Sequence, residues 1–241
     1  HSFPTRRSSD LNSLNPPRTK TDPDLVRQGK EVFDRAGCLR CHAGETLTNN
    51  AIVPADEIGT QPSRAKGMQK LPRTYAAPEI WDKNARVPIG GKAKILRVPT
   101  DHIDPDDLNL SYAQDGKGGY KVPSLIGLHV SAPYLHDGGV AAGSEAITWK
   151  ENKGYIVRKQ EQLGLSGTVL KGVSPDPTNS LVVLVDRSMR EQAVRNNRKS
   201  DRLAKSSVTG EGHSYWVDEE AGFTPDEQKA LVEYLMSLDG S

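Results

Sequence analysis

Apolar residues fall at helical spacing in three stretches of this chain. From Asp22, the run DPDLVRQGKEVFDRAG puts Leu25, Gly29, Val32, Phe33 and Ala36 on one face, with Asp22 as N-cap, Pro23 at the first helical position and Gly37 as the stop. Near the far end, Thr224, Pro225, Asp226 and Glu227 spell a capping box with proline at N1. Leu231, Tyr234, Leu235 and Leu238 make the stripe behind it, closed by Asp239 and Gly240. Between them, Ser180 to about Arg195 reads as one helix with Leu181, Leu184, Val185 and Met189 inward. Tyr155–Arg158 and Val169–Lys171 read as two short strands around a Gly-rich turn. Residues 43–120 are rich in Pro, Gly and charge, too long for a free loop, and are expected to pack around something central. No internal repeat stands out.

Composition narrows this picture. Only 35% of the 241 residues are hydrophobic and 5% aromatic, with 22 Gly and 16 Pro, so much of the chain must run as ordered loop. A buried cofactor would supply the apolar area that the side chains lack. The net charge of +1 gives no case for nucleic acid or an anionic membrane surface. No apolar run approaches membrane-spanning length; Leu181 to Val185 is the longest notable one.

The chain has two cysteines, and both lie in Cys38, Leu39, Arg40, Cys41, His42, the attachment signature of a c-type haem. Two thiols three positions apart can add to the vinyl groups on one porphyrin edge, which leaves the imidazole of His42 under the iron as proximal ligand. Two other readings of a Cys-x-x-Cys pair fit less well. A zinc site would need a second pair of ligands at suitable spacing, and the chain has no further cysteine. A thioredoxin-like redox centre would need a βαβ context, whereas a helix precedes Cys38.

With a helix on either side of this motif, the chain resembles the cytochrome c family. There a first helix with Gly-x-x-x-Phe crosses a last helix with Leu-x-x-Tyr, and Gly29, Phe33, Leu231 and Tyr234 match. A second resemblance lies in Lys121, Val122, Pro123, Ser124, Leu125 and in Ala132, Pro133, Tyr134, Leu135, His136, Asp137, Gly138, Gly139, Val140. This string is similar to the signature region of dihaem cytochrome c peroxidases and their relatives, which include the methylamine dehydrogenase maturation enzyme and the rubber oxygenases. The likeness covers roughly Asp22 to Val140 and the last thirty or so residues; Ala141 to about Thr209 departs from it. It implies a mainly α cytochrome c fold with long haem-wrapping loops and a short β-hairpin. Residues 22–241 are then one haem domain with an insertion at about 141–209, and residues 1–21 a disordered or artefactual segment.

The second axial ligand decides between an electron-transfer haem and a reactive one, because a distal position filled by protein leaves no room for peroxide. The candidates are His1, His102, His129, His136, His213, Met68, Met189 and Met236. His213 is favoured: it lies in Gly210, Glu211, Gly212, His213, Ser214, Tyr215, similar to a Gly-His-Asp-Phe-like segment at that place in some dihaem relatives, and its flanking glycines free the backbone. Met189 is the runner-up ligand, although its spacing from Leu181 and Val185 also suits core packing. The resemblance places His136 beside the haem, as a partner for a propionate or a bound water; a turn residue before Asp-Gly-Gly is the competing reading. The basic run Arg187, Arg190, Arg195, Arg198, Lys199, Arg202, Lys205 reads by default as a solvated helix face. Trp81, Trp149 and Trp216 have no assigned place.

The expectation is therefore one covalently bound haem c in an electron-transfer domain, the relay half of a dihaem peroxidase-like oxidoreductase. The alternatives are a catalytic five-coordinate peroxide-binding domain and a stand-alone monohaem carrier. The resemblance implies a redox-protein partner, a second haem domain upstream and a periplasmic location. No signal peptide is visible. The opening HSFPTRRSSDL resembles sequencing-adapter read-through, and His1 carries no weight for that reason.

Overall fold

In a computed structural model, residues 20–68, 79–81, 95–97 and 118–239 are described, and the architecture is mainly α. The helices are α1 (Pro23–Arg35), α2 (Ala55–Ile58), α3 (Ser63–Met68), α4 (Pro177–Val185), α5 (Arg187–Arg198), α6 (Asp201–Lys205) and α7 (Pro225–Met236). Short 3-10 turns join them. Among the described residues the β structure is three antiparallel two-stranded ribbons: β1 (Ile52–Pro54) with β4 (Gly119–Lys121), β2 (Glu79–Trp81) with β3 (Ile95–Arg97), and β5 (Ile147–Lys150) with β6 (Gly154–Val157).

The first and last helices form as their caps dictate. The Asp22 carboxylate accepts the Asp24 and Leu25 amides, and Pro23 fills the first position. Thr224 and Glu227 make the reciprocal capping box of α7. The two helices cross at Gly29, where an added Cβ would meet the Ala230 carbonyl oxygen at 2.0 Å and the Tyr234 Cβ at 2.6 Å. Phe33 sits edge-on to Tyr234, with ring centroids 5.4 Å apart. Arg35 closes the crossing with an ion pair to Glu227 and lies over the ring of Phe223.

One apolar cluster joins Val32 and Phe33 to Leu181, Val182 and Val183 of α4 and to Leu231, Val232 and Leu235 of α7. Residues 140–163 enter the same cluster through Val140, Ala142, Ile147 and Leu163. Each aliphatic side chain buried there contributes about 1.5–3 kcal/mol.

Two expectations are corrected. The helix read from Ser180 to Arg195 is two helices, because Asp186 is extended (φ −101°, ψ 120°) and its carboxylate caps α5 by accepting the Met189 amide. The β-hairpin pairs residues 147–150 with 154–157, so Tyr155–Val157 is a strand, while Val169–Lys171 is a 3-10 turn. Trp149 and Tyr155 are the cross-strand pair that holds the hairpin, their rings 5.0 Å apart, with the Lys229 ammonium over the indole.

Candidate haem site

Gly37 ends α1 in the left-handed region (φ 75°), and the chain turns at once into a 3-10 turn at Cys38–Arg40. The Cys41 and His42 amides both donate to the Cys38 carbonyl, at 3.2 and 2.9 Å. Three and four residues on within one turn, Cys41 and His42 are helical neighbours of Cys38. The His42 ring is buried, and its Nδ1 lies 3.2 Å from the Leu47 carbonyl oxygen. That carbonyl accepts only from a protonated Nδ1, so Nε2 keeps its lone pair. Burial holds the His42 pKa below its ordinary value, opposed by the Leu47 and Pro123 carbonyls, so the ring is neutral at pH 7.

The cysteines are free of each other, and burial pushes the Cys38 thiol up to about 11, with the neighbouring Cys41 adding to the rise. A dithiol redox centre needs the opposite shift, toward thiolate. Among the described residues, no three His, Cys, Asp or Glu side chains converge as a metal-ion site.

His213 lies across from His42. Their ring centroids are 6.3 Å apart and the planes are inclined at 59°. An ion bound by one nitrogen of each ring at about 2 Å, with each centroid about 1.1 Å behind its nitrogen, requires a centroid separation of about 6.2 Å. Two imidazole planes can share that axis at any mutual angle. Burial, then the Arg190 charge and His42, lowers the His213 pKa to about 4, and its Nδ1 is buried without a hydrogen-bond partner. These residues fit a haem: two thiols for the porphyrin edge and two neutral imidazoles at the spacing of a shared iron. Such a group would supply one-electron exchange between ferric and ferrous iron.

The strap carrying His213 is held from several sides. His213 itself has positive φ (51°) and donates its amide to the Ile58 carbonyl at 2.8 Å. Gly212 rests on Gly59 and Thr60 so closely that a Cβ would lie 2.2 Å from the Thr60 amide nitrogen. Tyr215 packs edge-on to the His213 ring at 5.0 Å.

The other candidates sit elsewhere. Met189 is buried in the apolar cluster, on the inward face of α5. Met236 packs partly buried against the same cluster. His136 is half-buried, stacked on Tyr120 with centroids 3.9 Å apart, and its Nε2 lies 2.9 Å from the Gln61 carbonyl oxygen. Arg64 donates to the His136 carbonyl, and both residues line a polar surface pocket with Lys205. His129 is buried with both ring nitrogens unpartnered. The guanidinium groups of Arg187 and Arg190 lie over the Trp216 ring, 5.7 and 5.6 Å from its centre. His1, His102 and the side chains of Met68 and Trp81 lie outside the described residues.

Sequence reasoning misplaced Arg190. Assigned to a solvated face, it is only 3% exposed, and its guanidinium donates to the carbonyls of Val183, Leu184, Gly210 and Gly212. Four backbone acceptors spread over thirty residues leave no sequence pattern. Asp137 was legible only as part of a signature string, and its carboxylate turns out to bind three amides: Gly139, Thr209 and Gly210.

The site thus gathers two cysteine thiols and two facing imidazoles, His42 and His213, on a mainly α frame. The chain is similar to a curated cytochrome-c peroxidase of Denitromonas iodatirespirans, 27% identical over 166 residues, which cover 64% of this chain and 40% of that protein. The chain therefore spans well under two thirds of the length of the relative it matches. No family model matches it, and no solved structure does. Among the described residues, no helix is long and apolar enough to cross a membrane.

Proposed function

We propose that this chain is a c-type haem domain that relays single electrons within a peroxidase-like oxidoreductase. Cys38 and Cys41 anchor the porphyrin through thioethers, Nε2 of His42 is the proximal ligand and His213 is the distal one. The 6.3 Å spacing of the two rings carries the reading. Two protein ligands on one iron leave no vacant position for peroxide, and they limit reorganisation when an electron arrives. The Leu47 carbonyl orients the His42 ring and increases its basicity through Nδ1, and burial keeps both imidazoles neutral and able to donate.

The similarity to a cytochrome-c peroxidase supports a redox protein as partner, and the dihaem resemblance supports a second haem centre in that role. A periplasmic location follows from the covalent haem, whose attachment in this family takes place outside the cytoplasmic membrane. Electron paramagnetic resonance of the ferric protein, matured with the c-type attachment machinery, is the test. A low-spin signal, together with an optical spectrum that lacks the far-red sulfur-to-iron band, supports bis-histidine ligation. A high-spin signal with rapid cyanide binding would reject His213 as ligand and favour the catalytic, five-coordinate alternative.

A further inference from the structure

The His213 strap is gripped by a buried pair of opposite charges that act on its backbone. Asp137 and Arg190 are 8% and 3% exposed. One carboxylate oxygen of Asp137 accepts the amides of Thr209 (2.8 Å) and Gly210 (2.9 Å), and the other accepts the Gly139 amide at 2.9 Å. From the other side, Nη1 of Arg190 donates to the Gly210 carbonyl and the Gly212 carbonyl, both at 3.0 Å. The remaining donors of Arg190 reach back to the C-terminal turn of α4, at Val183 (3.2 Å) and Leu184 (2.5 Å). Gly210 is therefore bound through its N–H by an anion and through its C=O by a cation. The residue before His213 is bound by the same cation.

Asn197, fully buried, completes the grip: its Nδ2 donates to the Gly139 carbonyl (2.8 Å) and the Thr209 carbonyl (3.0 Å). Gly139 and Gly210 lie backbone to backbone, and a Cβ on Gly139 would sit 2.2 Å from the Gly210 nitrogen. No direct Asp137–Arg190 bond occurs among the ion pairs of the described residues; the two charges meet through the Gly210 peptide. Charge-assisted hydrogen bonds of this kind are stronger than neutral ones, and in a buried site they are hard to replace with water.

We infer that Asp137 and Arg190 are positioning residues for the distal ligand, a clamp on the Gly210–Gly212 backbone that sets the height of the His213 ring over His42. The inference rests on the proposed ligation by His213. The clamp, not the strap's own glycine-rich sequence, supplies the rigidity that keeps His213 in place. Its loss would let the strap lift and turn a closed iron into one open to external ligands.

The test uses the haem-loaded protein in three variants. His213→Gly tests the ligation itself: if its ferric spectrum stays low-spin and carbon monoxide still binds slowly, the reading of His213 fails and the clamp with it. With ligation established, Asp137→Asn and Arg190→Lys test the clamp. Asp137→Asn trades an acceptor oxygen for an amide that faces the same N–H groups, and Arg190→Lys keeps the charge but loses the four-way geometry. Both are expected to show a partly high-spin ferric spectrum and carbon monoxide association to the ferrous form faster by about ten-fold. Added imidazole should return the low-spin spectrum, and the variants' thermal unfolding, measured alongside, separates displacement of the strap from a general loss of stability. Folded variants with the wild-type spectrum and association rate overturn the inference. Should both variants fail to fold, amide exchange in the wild-type holoprotein decides. Thr209 and Gly210 must then exchange as slowly as the buried turns of α5, and rapid exchange in the folded protein overturns the inference.

Discussion

A β-carbon on Gly29 would lie 2.0 Å from the carbonyl oxygen of Ala230, so the first and last helices touch backbone to backbone. Alanine is the better helix former by about 1 kcal/mol, but here it has nowhere to put its methyl group. Gly29→Ala should therefore destabilise the protein by roughly 1–3 kcal/mol, because overpacking outweighs the gain in propensity. Thermal unfolding followed by circular dichroism checks this. A melting temperature at or above wild type would mean that the helices separate freely at this point.

The fully buried Asn197 makes three bonds at once, two from its Nδ2 and one accepted from the Ser166 amide at 3.1 Å. Asn197→Ala strands two carbonyls and an amide without solvent, at a cost of about 2–4 kcal/mol. Denaturant titration should show this as a lower midpoint with an unchanged slope.

Met189 and His213 are rival axial ligands, and they predict opposite spectra. Met189→Leu conserves volume in the apolar cluster and should cost less than about 1.5 kcal/mol, leaving the low-spin spectrum in place. If the spectrum instead turns high-spin while the protein stays folded, methionine holds the iron.

Glu227 links the capping box of α7 to Arg35 of α1. The Thr224 amide, then the Arg35 guanidinium, holds its carboxyl below the ordinary glutamate value. A carboxylate with a depressed pKa in the folded state stabilises the fold above its unfolded pKa, and that stabilisation is lost as pH falls through the folded value. Glu227→Gln should lower stability near pH 7, modestly because the pair is largely solvated, and the difference from wild type should close as the pH is taken down through the carboxylate range. Denaturant midpoints across that range measure it. A gap that persists in strong acid would assign the effect to packing.

Where structure depends on neighbours in the chain, it was legible. Asp22, Pro23, Thr224, Pro225 and Glu227 fix their helix ends with local bonds, whereas the crossing at Gly29, Phe33 and Tyr234 was expected only from the resemblance to the cytochrome c family. The break at Asp186 was hidden because apolar residues continue at helical spacing across it, although an aspartate three residues before Met189 is itself a cap signal. The first strand of the hairpin was missed for a different reason: Trp149 is covered by Tyr155 and Lys229, and Ile147 is paired with Val157, partners that only the fold brings together. The Cys38–His42 motif is contiguous in the sequence and so was visible there as a motif, though not its 3-10 turn. Arg190 could not be read there, since a cation that binds carbonyls far along the chain looks, in sequence, like any other charge on a helix.

His42 and His213 stand at nearly opposite ends of the chain, with roughly 170 residues between them. Joined through a single metal ion, they would close that whole span into a ring, as a cross-link does, and a link across so long a span removes about 5 kcal/mol of freedom from the disordered chain. The ligand pair would then be a staple for a protein poor in hydrophobic residues, and the cofactor as much a part of the scaffold as any helix.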